Sequence, residues 1–163
     1  MSACIGGDAR LASDVVFVGG CEPHCRDMLE AAAETGADVA VLGGWQRATL
    51  WHPVLRKLVR GRGVWDEDHV IALNATRIGL DLLKKRSGPD SSATRTFEIR
   101  ACGTFLLADQ FPEHGQLFEE ERGPNSSTDT TRCGRKITWY VGHDEEREPI
   151  AAAGRERCLR SGY

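Results

Sequence analysis

The chain has no long hydrophobic run. None of its apolar stretches approaches the roughly 18 residues that a membrane span requires. Residues 1–13 also lack the basic segment and apolar core of a secretory signal. Both absences predict a cytoplasmic protein without a membrane span. Charge of one sign is scarce too. With 21 Lys and Arg against 24 Asp and Glu, the net charge of −3 excludes a dedicated nucleic-acid or membrane-surface binder, and no nucleic-acid partner is expected. A local basic pocket remains compatible with that balance. Six cysteines in 163 residues are too few for a disulfide scaffold. Cys21, His24 and Cys25 resemble one corner of a metal site, but no second Cys/His pair at zinc-like spacing follows, so no metal is expected. The five histidines share no motif.

What is present is an alternation of short apolar runs and helical patterns. Asp14-Val15-Val16-Phe17-Val18 is a buried-strand run closed by Gly19-Gly20. Pro23 suits the first turn of a helix that carries Met28, Leu29, Ala32 and Ala33 on one side and stops at Gly36. Val39-Ala40-Val41-Leu42 repeats the strand pattern before Gly43-Gly44. Two apolar strands around one helix predict a parallel pair with a right-handed crossover.

The same reading predicts a short helix over 53–60, a helix from Asp66 to about Ala75 and a strand over 78–83. A polar loop over 86–93, a helix from Thr94 to Cys102 and a strand over 104–108 follow. A helix from Pro112 to Glu120, a loop over 122–131 and helices near 132–141 and 145–160 complete the chain. Pro149 argues against one unbroken final helix. Residues 1–13 read as a loose leader and 14–163 as one domain. The expected class is α/β: a Rossmann-like open parallel sheet with helices on both faces. Its ligands belong at the carboxyl ends of the strands.

The segment Asp90 to Leu107 carries the most chemistry. A polar loop enters a helix whose free N–H groups, with Thr94 and Arg95 beside them, suit a phosphate. Arg95 has the forked donor geometry for it. Glu98, one turn on, has the acceptor oxygens for a ribose, and equally suits a solvated helix position beside Arg95. Lys84, Lys85 and Arg86 fit either a diphosphate or a solvated rim. Trp45 and Trp51 fit either a stacked base or the core.

Thr94-Arg-Thr-Phe-Glu-Ile-Arg-Ala-Cys-Gly-Thr-Phe-Leu-Leu107 resembles the central T-x-R-x-F-E-I-x-A-C-G-G-F-L-L stretch of the CgeB-like glycosyltransferases, with one residue of slack before Arg95. Asp14 to Gly20 resembles that family's opening strand, Arg26 matches an Arg a few residues later, and Gly43-Gly44-Trp45 resembles its G-x-W turn. Asp144 to Arg157 resembles its terminal E-R-x-x-I-A-x-A-G helix. The likeness runs over residues 14–163. It departs at Thr104, where the family has a second Gly, and at Arg122 to Ser127, where the family has an apolar strand.

The resemblance implies the C-terminal half of a GT-B glycosyltransferase, which binds a nucleotide-diphosphate sugar donor as substrate, with no cofactor and no required metal. It implies donor contacts at Gly19, Gly20, Arg26, Thr94, Arg95 and Glu98. Glu98 takes the ribose, and Asp90, separated from it by seven residues, stands as the catalytic acid near the donor sugar. The amino-terminal acceptor half has no counterpart in the pattern, so a separate acceptor-binding domain or subunit is an expected partner. The alternative is a non-catalytic Rossmann-like nucleotide- or partner-binding module, or a truncated relic.

Overall fold

The computed structural model describes residues 11–20, 23–45, 51–61, 63–64, 66–82, 93–108 and 130–160. Within them lie five strands and six helices: β1 (Ser13–Val18), α1 (Pro23–Glu34), β2 (Val39–Leu42), α2 (Pro53–Leu58), β3 (Val59–Gly61), α3 (Asp66–Asn74), β4 (Thr76–Asp81), α4 (Ala93–Ala101), β5 (Phe105–Ala108), α5 (Thr130–Gly142) and α6 (Asp144–Arg160). The strands form one sheet of order β3-β2-β1-β4-β5. Every pairing is parallel, with Phe17 aligned to Val41 on one side and to Leu80 on the other. The α/β class and the parallel sheet expected from the sequence are what the chain forms.

Strand alternation divides the core into two layers. Val15, Phe17, Val41, Ile78, Leu80, Phe105 and Leu107 face one way and pack with Leu29 of α1, Leu55 of α2 and Ile137 of α5. Val16, Ala40, Leu42, Leu106 and Ala108 face the other way and pack with Leu73 of α3 and Ile99 of α4. Gly79 belongs to the second layer, where a methyl group would come within 2.8 Å of Ile99 Cγ2, so its lack of a side chain lets α4 lie close on the sheet.

The helices stop where their chemistry stops them. Gly36 takes a φ of +80° past α1, and its N–H bonds the Ala33 carbonyl. Gly103 takes a φ of +75° past α4, with Gly103 N–H bonded to Arg100 O and Thr104 N–H to Ile99 O. That bond pair is a Schellman motif, which answers the last free carbonyls of the helix. Thr104, where the resembled family has a second Gly, is buried and donates its hydroxyl to the Leu73 carbonyl at 2.7 Å, tying β5 to α3.

Three details correct the sequence reading. The expected helix over 53–60 ends at Leu58, and Val59–Gly61 pairs with β2 as a fifth strand. Strand β1 opens at Ser13, paired with Thr76, and Leu11 packs on the second core layer. Pro149 lies inside an unbroken α6. Its missing N–H withholds the i−4 bond from the carbonyl of Glu145, an exposed residue. Upstream, Arg147 holds the helix start by bonding the Tyr140 carbonyl at 2.5 Å and Asp144 at 2.8 Å.

Among the described residues no helix is long and apolar enough to cross a membrane. Cys25, Cys133 and Cys158 are buried and Cys102 is half-buried. No cluster of three or more metal-ligating side chains forms among the described residues.

Candidate active site

In an open parallel sheet the crevice for a ligand opens where the strand order reverses. That point lies between β1 and β4, at the carboxyl ends marked by Gly19-Gly20 and by Asp81. The first side of the crevice is rigid. Trp45 is fully buried and donates its indole N–H to the Gly19 carbonyl at 2.7 Å. Its ring meets Phe17 edge to face, with centroids 6.0 Å apart. Trp45 is therefore core, while Trp51 is 92% exposed.

The glycines divide by role. A methyl at Gly43 would stand 2.0 Å from the Gly19 carbonyl oxygen, so the ends of β1 and β2 touch backbone to backbone. At Gly19 a methyl would meet Phe17 Cζ at 2.9 Å and Arg95 Nη2 at 3.2 Å. Gly20 has open space where a side chain would be, so its backbone is free to be approached from the crevice.

From the other side comes α4. Arg95, on its first turn, reaches across the sheet edge, and its guanidinium carbon lies 5.7 Å from the Phe17 ring centroid, within cation–π range. Its Nη1 is 3.8 Å from Asp81 Oδ1. Asp81 is 0% exposed, and it accepts a 2.5 Å hydrogen bond from the Thr96 hydroxyl through its second oxygen. The structure therefore brings Gly19 and Arg95 together and adds two residues that the sequence reading did not single out, Asp81 and Thr96. A signal for Asp81 existed: an acid inside the apolar run Ile78-Gly-Leu-Asp-Leu-Leu83. Strands of a covered parallel sheet are buried on both faces, so a carboxylate there needs partners.

The remaining nominated residues have distinct places. Thr94 is exposed at the start of α4. Glu98, three residues past Arg95, shares its helix face. Its side chain is 46% exposed, with Oε2 at 3.6 Å from His69 Nε2 of α3. The Cys102 thiol, one further turn along, has its pKa raised by burial and then by the Glu98 charge. Arg26 lies in the first turn of α1, half-buried, and its Nε has no hydrogen-bond partner among the described residues. Asp90, Lys84, Lys85, Arg86, Cys21 and the helix expected from Pro112 lie outside the described residues.

A separate groove of about 550 Å³ runs between α1 and α5, lined by Glu34, Thr35, Arg135 and Trp139, and it contains no residue of the β1–β4 crevice. Trp139 stacks on His143 with centroids 3.7 Å apart and donates its N–H to Glu146, which accounts for its fixed position at the end of α5.

The fold resembles known glycosyltransferases. The catalytic domain of cholesterol-alpha-glucosyltransferase from Helicobacter pylori superposes with a TM-score of 0.68 at 16% identity, covering 90% of this chain and 97% of that one. AviGT4, a glycosyltransferase involved in Avilamycin A biosynthesis, superposes with a TM-score of 0.60 at 17% identity, covering 93% of this chain and 50% of that one. Both likenesses are of fold, a GT-B glycosyltransferase domain. No curated protein matches the chain in sequence. The family model described as "Glycosyl transferase-like" matches residues 22–163, most of the chain, and the chain belongs to that family.

Proposed function

We propose that residues 14–163 form the donor-binding domain of a cytoplasmic glycosyltransferase, taking a nucleotide-diphosphate sugar at the carboxyl edge between β1 and β4. The observation that carries this reading is Arg95, brought by the first turn of α4 to the reversal point of the sheet, beside Gly19 and above Phe17. A guanidinium beside free helix N–H groups suits the diphosphate. The open backbone at Gly20 and the first turn of α1 with Arg26 offer further donors on the same strand's end. Glu98, on the Arg95 face of α4, takes the ribose hydroxyls, and Asp90 stands near the donor sugar. Transfer then rests on charge stabilisation of the leaving diphosphate and on positioning, without a required metal. Because a GT-B site closes between two halves, the acceptor is bound by a second half, in the same polypeptide or in a separate subunit.

The test is calorimetry with a panel of nucleoside diphosphates and their sugars. The Glu98 to Gln change keeps shape and removes charge. A hydrogen bond to a charged group contributes about 1.5–3 kcal/mol. Glu98→Gln should therefore weaken nucleotide binding about 10- to 150-fold, while the unliganded melting temperature stays near that of the parent. Equal affinity for the two proteins ends the ribose assignment.

A further inference from the structure

The geometry points to Asp81 as a positioning residue that sets the guanidinium of Arg95 for the diphosphate, acting through Arg95 and Thr96 without touching the ligand itself. The inference rests on the donor-binding reading above and adds to it a residue that the motif likeness had not marked.

A carboxylate withdrawn from water is strongly destabilising unless charged or hydrogen-bonding partners compensate it. Asp81 is 0% exposed at the last position of β4. Strand alternation turns it, like Gly79, toward α4. There the Thr96 hydroxyl bonds one carboxylate oxygen at 2.5 Å. The other oxygen faces Arg95 Nη1 at 3.8 Å. Thr96 is itself buried. Adjacent residues on one helix turn are thus held by the two oxygens of one carboxylate on the sheet.

The distances divide the labour. The Thr96 bond is short and fixes the start of α4 on the end of β4. The Arg95 contact is beyond hydrogen-bond length. It therefore steers the guanidinium electrostatically and leaves its N–H groups available to another acceptor. Without that steering, a long side chain rich in rotamers is held, among the described residues, on the Phe17 face alone. A diphosphate arriving at the crevice would then have to order Arg95 itself. On this reading the charge at Asp81 acts through Arg95 on recognition of the diphosphate, and binding of the nucleoside alone serves as the comparison.

The experiment measures affinity for nucleoside diphosphates and for the matching nucleosides in the parent, Asp81→Asn, Arg95→Met and the double variant. The expected result is a diphosphate-to-nucleoside affinity ratio lowered on the order of tenfold in Asp81→Asn, with no further loss when the change is made in the Arg95→Met background. Thr96→Val, which leaves the carboxylate in place but removes its donor, should lower the same ratio, and Thr96→Ser should restore it. These two variants carry the test if Asp81→Asn does not fold. Additive losses in the double variant, equal losses for nucleoside and diphosphate, or a diphosphate affinity that rises in Asp81→Asn would overturn the role. The last result would mean that Asp81 competes for Arg95. If the parent binds no nucleoside diphosphate, the donor-binding reading itself fails. A double-mutant cycle on unliganded stability that still couples Asp81 to Arg95 then makes the carboxylate a structural anchor and withdraws the positioning role.

Discussion

The two ends of the sheet are built from opposite chemistry. At the amino end charges pair with each other at the surface: Asp14 with Arg77, Asp38 with Arg60, and Ser13 with Thr76 between hydroxyls. Arg60 also donates to the Ala12 carbonyl at 2.8 Å. At the carboxyl end glycines bring backbone against backbone, one carboxylate is fully buried, and Arg95 spans two strands. An end whose charges neutralise one another locally offers nothing to a ligand. An end that buries a carboxylate and leans a guanidinium over an aromatic face keeps its donors for something else. The asymmetry agrees with the general placement of ligands at strand carboxyl ends, and it can be broken deliberately.

The largest effect should come from Gly43→Ala. A Cβ 2.0 Å from the Gly19 carbonyl oxygen meets backbone, which cannot rotate away. Overpacking of this kind should cost about 3 kcal/mol or more, read as a lower denaturant midpoint. Gly20→Ala, in open space, should stay within about 0.5 kcal/mol of the parent. Equal destabilisation of the two would mean that the β1 and β2 ends do not approach as described.

Next in size is Arg95→Met, which should lower affinity for nucleoside diphosphates about 10- to 150-fold, from the same 1.5–3 kcal/mol per charged hydrogen bond. Its effect on unliganded stability should be smaller than that of Gly43→Ala, because the ion pair is long and one partner is partly exposed. Calorimetry and thermal denaturation on the same preparation separate the two quantities.

A buried cation that belongs to neither end gives an intermediate yardstick. Lys136 of α5 is nearly covered, and burial, followed by the charge of Arg132, lowers its pKa to about 8. The unfolded chain holds that proton until near the ordinary lysine value of 10.5. Between those values the unfolded state binds more protons, so stability should rise with pH. Tyr140, whose pKa burial raises, opposes this above its ordinary value of 10.0. Subtracting the pH profile of Lys136→Met from that of the parent isolates the lysine. A flat difference between pH 8 and 10.5 would show that Lys136 titrates normally.

The sequence made some of this plain and hid the rest for identifiable reasons. β1, β2, α1 with its stop at Gly36, and the helix opening at Asp66 are legible because each has a period or a punctuating residue of its own. Strand β3 is not, since Val59-Arg60-Gly61 is too short for any period and follows directly on a helical turn. Pro149 misleads because its cost depends on whether the orphaned carbonyl is solvated, which only the packing of α6 reveals. At the site, Gly19 and Arg95 are visible as motif residues. The bond from Trp45 to Gly19 and the pairing of Glu98 with His69 are not, because both join segments through the tertiary fold. Asp81 stands between these cases: an acid in an apolar strand announces a partner without saying which. The terminal motif teaches the converse, since Arg147 matches the family pattern yet is spent on the Tyr140 carbonyl and Asp144.

The smallest effect should belong to the amino end. Arg77 and Asp14 pair between side chains that keep much of their water, with Arg77 about half exposed. Such a pair gains little Coulomb energy in a high dielectric, loses side-chain entropy and is screened by salt. Exposed pairs therefore contribute about 0–1 kcal/mol. Asp14 also accepts the Asp38 backbone N–H at 3.0 Å, so removing Arg77 leaves the carboxylate with a partner. Arg77→Met should lower stability by less than about 1 kcal/mol, and the loss should shrink further in high salt as the Debye length falls to about 3 Å at 1 M. Nucleoside-diphosphate affinity should not change, because the substituted charge lies at the opposite end of β4 from Asp81. A tenfold loss of affinity in Arg77→Met, measured beside Arg95→Met, would mean that the two ends of the sheet do not divide structure from ligand binding.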